Sequence, residues 1–190
     1  MCKNNKIKII FAVLLVIAVQ GIAYADDACE KLVPTSLRNA LEKKYPDYNI
    51  AKSTDQKTND PEWNKYYYKE GQCLTVASGD FDGDKNTDYV LFIVKKNTTM
   101  PKLVVALSRN KHWSINELPI WNEQIEGCYV ETTKPGTYEH TMSYEFKPSK
   151  TNEREKVTTN NTSIIAGRVE STGVVYVYDK GQWLYVWVSD

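Results

Sequence analysis

Leu74-Thr75-Val76-Ala77-Ser78-Gly79-Asp80-Phe81-Asp82-Gly83-Asp84-Lys85-Asn86-Thr87-Asp88-Tyr89-Val90-Leu91-Phe92-Ile93-Val94 is the stretch from which the fold is read. Residues 74–77 and 89–94 are short runs of β-branched, aliphatic and aromatic side chains, and everything between them is polar and turn-forming. That pattern predicts a strand, a tight loop and a second strand. Moving toward the C-terminus, similar runs at 103–107, 113–118, 128–132, 141–146, 164–169, 174–178 and 183–188 predict further strands, separated by Asp, Asn, Gly and Lys clusters. The last two form a hairpin around Asp179-Lys180-Gly181. The triplet Tyr66-Tyr67-Tyr68 is read as one more strand, with Tyr66 and Tyr68 on one face, while 52–64 and 148–162 are polar enough to be loops. Moving toward the N-terminus, Leu37, Ala40, Leu41 and Tyr45 recur at helical spacing, with Thr35 or Ser36 as cap and Pro46 as stop, so 34–45 is a short amphipathic helix. The expected class is α+β: a short N-terminal helix packed on a mostly antiparallel β-sheet with a C-terminal hairpin.

The loop itself carries the chemistry. Counting from Asp80, acids stand at positions 1, 3, 5 and 9, namely Asp80, Asp82, Asp84 and Asp88. Calcium is a hard ion that takes six to eight oxygens, and a tight loop turns alternate side chains inward to supply them. Asp80, Asp82, Asp84 and Asp88 with the backbone carbonyl of Asn86 are the candidate ligands. Position 12 lies in the following strand run and is not Glu, so the loop is no helix-loop-helix EF-hand. Lys85 occupies position 6, where the calcium loops that this one resembles usually carry glycine, for which positive φ is cheap. Either the backbone accepts Lys85 in a left-handed conformation, at a cost of about 1 kcal/mol, or Asn86 takes over the turn. The bland alternative is a polar turn that holds no ion, in which four aspartates repel one another uncompensated.

Composition narrows the classes. The 190 residues are 42% hydrophobic and 25% charged, with only nine Gly and seven Pro, which excludes a disordered or collagen-like chain. The 24 basic and 24 acidic side chains cancel, and no long basic run exists, so nucleic acid is not the expected partner. Residues 1–25 read as a secretory signal: Lys3, Lys6 and Lys8 precede an apolar run over 9–19, and Ala23-Tyr24-Ala25 supplies a cleavage site. The remainder, 26–190, is one expected globular domain, net negative once three lysines leave, with no second apolar run able to span a bilayer. A periplasmic or secreted location follows.

Cys29, Cys73 and Cys128 remain after cleavage, and an oxidising compartment pairs two of them. Three pairings are possible. Cys73 with Cys128 is the candidate, since both enter predicted strands and Cys29 sits near a terminus. Trp63, Tyr66, Tyr68, Trp113, Trp121, Trp183 and Trp187 are either sheet core or a sugar-stacking or protein-binding face. His112 and His140, with Glu139 nearby, are the only elements from which a general-base site could be built, and no nucleophile elbow, phosphate loop, dinucleotide fingerprint or Cys-x-x-Cys accompanies them. No catalytic residue is assigned.

Gly79-Asp80-Phe81-Asp82-Gly83-Asp84 through Asp88-Tyr89-Val90 resembles the calcium loop of FG-GAP/VCBS-type repeats, the integrin-propeller motif. The likeness covers roughly 20 residues in a single copy. With the preceding helix and the tail Gln182-Trp183-Leu184-Tyr185-Val186-Trp187-Val188-Ser189-Asp190, the chain is similar to small exported bacterial proteins that carry one such loop. The resemblance implies strands on both sides of the loop and a structural calcium ion, and it implies no reaction. The functional expectation is an exported, non-enzymatic, calcium-stabilised domain that binds a protein or glycan partner, in the manner of an inhibitor or immunity protein. The alternatives are a cell-wall or glycan hydrolase using His112 or His140, and a calcium-dependent glycan binder.

Overall fold

The computed structural model describes residues 27–110, 112–119, 124–141 and 145–189. The expected signal segment, Trp121 and residues 142–144 of the strand predicted over 141–146 lie outside these, and the described residues 141, 145 and 146 are not in a strand. Strand dominates, all pairings between named strands are antiparallel, and the helices are few and short.

One sheet is built on β3 (Asp88–Lys95), β4 (Pro101–Arg109) and β5 (His112–Leu118). The other edge of β3 is shared end to end by β1 (Tyr48–Ile50), opposite Ile93 to Lys95, and β2 (Val76–Gly79), opposite Asp88 to Leu91. A second sheet runs in the order β11 (Gln182–Ser189), β10 (Gly173–Asp179), β9 (Ser163–Arg168), β6 (Cys128–Thr133). A separate ribbon pairs β7 (Gly136–Glu139) with β8 (Lys156–Thr159).

The runs in β3 and β4 are continuously apolar because both faces of that sheet are covered. Val90, Phe92, Leu103, Val105 and Leu107 meet Val130, Ile164, Ala166, Val174 and Tyr176 of the second sheet and form the inner core. Leu91, Ile93, Val104, Ala106 and Ile115 face the other way, under Cys29 of α1 (Ala28–Leu32) and Leu37 and Leu41 of α2 (Thr35–Lys44). The outer face of the second sheet is covered in turn by Val157 and Tyr138 of the ribbon, against Val175, Val177 and Val186. The predicted hairpin closes through Lys180 and Gly181, both at positive φ (47° and 89°), as a two-residue loop between twisted strands requires.

Three local readings are corrected. Tyr66 and Tyr67 lie in α3 (Pro61–Tyr67), because the Asp60 carboxylate accepts from Glu62 N and Trp63 N and Pro61 fixes the first turn; these capping signals outweigh the strand preference of three tyrosines. The loop predicted over 52–64 thus contains a 3-10 turn, Ser53–Gln56, and the start of α3. The loop predicted over 148–162 contains β8 and the buried Glu153, whose carboxylate accepts from Ser149 N and Oγ.

The disulfide is also corrected: Cys73 pairs with Cys29, not with Cys128. Cys29 is not on a loose end. The Asp27 carboxylate caps α1 through Cys29 N and accepts from Ser53 N and Oγ, which holds α1 on the helix-covered face beside Cys73. Cys128 sits on the opposite, inner side, where its thiol donates to the Gln124 carbonyl.

Candidate metal centre

The β2–β3 register ends on Gly79 opposite Asp88, so residues 80–87 form a loop closed at its base by a ladder pair. Phe81 turns inward, fully buried, edge-on to Trp183 with ring centroids 6.4 Å apart, and so anchors the loop in the inner core. Its neighbours Asp80 and Asp82 turn the other way. The Asp80 carboxylate accepts from Gly83 N (2.8 Å) and Lys85 N (3.0 Å), and Asp82 Oδ1 accepts from Asp84 N (3.2 Å). These contacts curl the backbone around the acids.

Lys85 does adopt the left-handed conformation, with φ 68°, and Asn86 does not take over the turn. Gly83 is left-handed too, at φ 79°, and a Cβ there would lie 2.8 Å from Asn161 Oδ1 in the β8–β9 turn. Any side chain there would have to displace the Asn161 amide and would be strained at this φ, so glycine is favoured where the loop approaches the β8–β9 turn. Lys85→Gly is expected to raise stability by about 1 kcal/mol, seen as a higher thermal midpoint, because it removes the side-chain penalty at this φ.

Oxygens of Asp80, Asp82 and Asp88 lie within 4.8 Å of one another. Oxygens bound to one calcium at 2.3–2.6 Å are at most about 5 Å apart, so the spacing suits a single ion. The donors are all hard oxygens, and each keeps lone pairs beyond those given to backbone N–H groups. Of the five candidates, then, three come together. Asp84 is exposed and turns to Asn86, accepting from its N (2.8 Å) and Nδ2 (2.9 Å).

Asp88 is the base of the site and is fully buried. Its carboxylate accepts from Phe81 N (3.0 Å) and Ser108 N (2.8 Å), joining the loop to β3 and β4. Burial pushes its pKa up to about 6 against those two hydrogen bonds, with Asp82 and Asp84 adding repulsion. Asp82 is also raised, chiefly by burial. Asp84 is lowered by its hydrogen bonds to Asn86.

Sequence reading missed Arg109. Its Nη2 is 2.7 Å from Asp82 Oδ2 and 3.2 Å from the Tyr178 hydroxyl, so a cation from β4 offsets part of the acidic charge and links the loop to β10. No local signal marks it, since the β3–β4 register alone brings it there.

The histidines do not converge. His112 is exposed at the start of β5, and His140, beyond β7, packs edge-on to Phe146 and donates its backbone N–H to the Glu155 carbonyl. Glu139 is paired with Lys156. No helix among the described residues is long and apolar enough to cross a membrane. The chain matches no protein-family model, no curated protein and no solved structure.

Proposed function

We propose that this is an exported, non-enzymatic domain of the single-loop FG-GAP/VCBS type, in which calcium held by Asp80, Asp82 and Asp88 stabilises a surface that binds a macromolecular partner, as an inhibitor or immunity protein does. The observation that carries this is the oxygen triangle on a loop anchored to both sheets: Asp88 ties it to β3 and β4, while Phe81 and Gly83 press it against Trp183 and Asn161. Asp84 and the Asn86 carbonyl are the further donors implied by the resemblance. Bound calcium would neutralise the mutual repulsion of the acids and cross-brace the two sheets. Its chemistry there would be structural, since the acids that would hold it are already spent on bracing the loop to both sheets. The Cys29–Cys73 disulfide supports an oxidising, exported compartment.

Thermal unfolding of residues 26–190 in chelator, calcium and magnesium tests the proposal. At tenfold to hundredfold excess over Kd, calcium is expected to stabilise by about 1.4–2.7 kcal/mol. Asp82→Ala removes the response. A midpoint blind to calcium, or a response that survives Asp82→Ala, would sink the metal reading.

A further inference from the structure

The strand edges of this molecule are unequally protected. The β6 edge meets the chain before β2, where Val130 N donates to the Leu74 carbonyl at 2.7 Å. The β11 edge is occupied by Tyr185 N to the Asn152 carbonyl, Arg154 N to the Tyr185 carbonyl and Thr141 N to the Trp187 carbonyl. On the first sheet, β1 is three residues long, whereas β5 offers a seven-residue edge.

Which groups of β5 face outward follows from alternation along β4. Ser108 N donates to Asp88, and Met100 just before β4 accepts from Lys95, so even-numbered residues turn their backbone groups toward β3. The odd ones therefore pair with β5, at His112, Ser114, Asn116 and Leu118. Trp113, Ile115 and Glu117 are left with N–H and C=O directed to the open side. The Lys44 ammonium donates to the Ile115 carbonyl, which confirms this parity independently. Among the described residues, no other hydrogen bond reaches these outward groups from outside the sheet.

Apart from Lys44 on the Ile115 carbonyl, the described residues give β5 none of the usual devices that blunt an edge. It holds no proline, its pairing with β4 has no register shift, and its one acid, Glu117, is tied to Lys102 at 2.7 Å. Along it lies the stripe Ser36, Ala40, Lys44 of α2, with Trp113 Nε1 donating to Ser36 Oγ. Lys43 and Lys44 are exposed at the end of that helix, so the uncompensated charge beside the edge is positive. Lys44 uses one N–H on Ile115 and keeps two.

We infer that β5 is a strand-addition edge that takes an extended segment of a partner protein, antiparallel to β5, with a carboxylate opposite Ile115 where Lys44 meets it. The side chains of Trp113, Ile115 and Glu117 all lie on the helix-covered face, and so does that of any residue paired with Ile115. The inference rests on the reading of the chain as a partner-binding domain and does not depend on the ion loop, so calcium stabilisation of the fold survives its failure.

The probe is a blocked nonapeptide alternating threonine and valine about a central glutamate, added to isotope-labelled protein while amide shifts and hydrogen exchange are followed. The expected result is protection of the Trp113, Ile115 and Glu117 amides, with affinity about two- to fivefold above that of a second peptide that differs only in a central lysine. Lys44→Gln should erase that preference and keep the protection. A peptide N-methylated on the amides that face β5 should protect nothing. The inference is overturned if neither peptide protects these amides or if Lys44→Gln binds better than the parent, either of which makes Lys44 a guard that keeps strands away. Equal protection by the N-methylated peptide, or amides that respond to protein concentration alone because a second copy fills the edge, overturns it as well.

Discussion

Asp88→Ala will destabilise the ion-free protein by about 2–4 kcal/mol at pH 5 and abolish any calcium response. The carboxylate is the acceptor for two amides, Phe81 N and Ser108 N, and orphaning a buried donor costs about 1–3 kcal/mol. The loss will be smaller at pH 7. Because the folded pKa stands at about 6 against an ordinary carboxyl value of 3.8, the native state holds a proton between those values that the unfolded chain releases. The stabilising contribution is thus complete below about pH 4 and disappears as pH rises through about 6, an effect of order 3 kcal/mol. Wild-type protein in chelator should therefore gain stability relative to Asp88→Ala as pH falls from 7 to 5, measured as the difference between denaturant midpoints. Asp88→Asn, which keeps one carbonyl acceptor and has no proton to exchange, should lose less and show no such slope. A difference between wild type and Asp88→Ala that is flat with pH would refute the assignment of the slope to this carboxyl.

The second large effect belongs to the disulfide. Cys29 and Cys73 are 44 residues apart, and loop-closure entropy for a ring of that size corresponds to about 4 kcal/mol. The paired substitution Cys29→Ser with Cys73→Ser, or reductant on the wild type, should lower the thermal midpoint by roughly 8–16 °C for a chain of this length. The loss has a structural address. The bridge holds α1 over Leu91, Val104 and Ala106, so hydrogen exchange should rise first in α1 and α2. Cys128, fully buried in the other core, should resist alkylation until the protein unfolds, which mass spectrometry would show. Labelling of Cys29 or Cys73 in native, unreduced protein would contradict the pairing.

Legibility varied with the range of the interaction. The strands 89–94 and 103–107 were visible because apolar side chains on both faces need no partner to be named before they read as buried. The capping signal at Asp60-Pro61 is equally local and present in the sequence, yet three consecutive tyrosines favour a strand over 66–68 and the polar run before them a loop, so the helix that joins the two was not legible. At the metal loop, the spacing of Asp80, Asp82 and Asp88 already implied convergence. The same spacing did not show that Asp84 turns to the Asn86 amide and side chain instead. The Cys73–Cys128 reading failed because both residues sit near strands, while the faces those strands present are decided only when two sheets and a helical layer assemble.

By itself, then, the sequence determined the strands of the two main sheets over 74–118, 128–132 and 164–188, the terminal hairpin and the acidic loop between β2 and β3, because alternation, turn chemistry and the inward turn of alternate aspartates act over a few residues. Tertiary structure alone decided that Cys29 meets Cys73, that Arg109 answers Asp82, that Asn161 packs over Gly83, and that Lys44 meets the Ile115 carbonyl. Each of these joins residues distant in the chain. Strand register and sheet packing set their distances, and no local pattern records either.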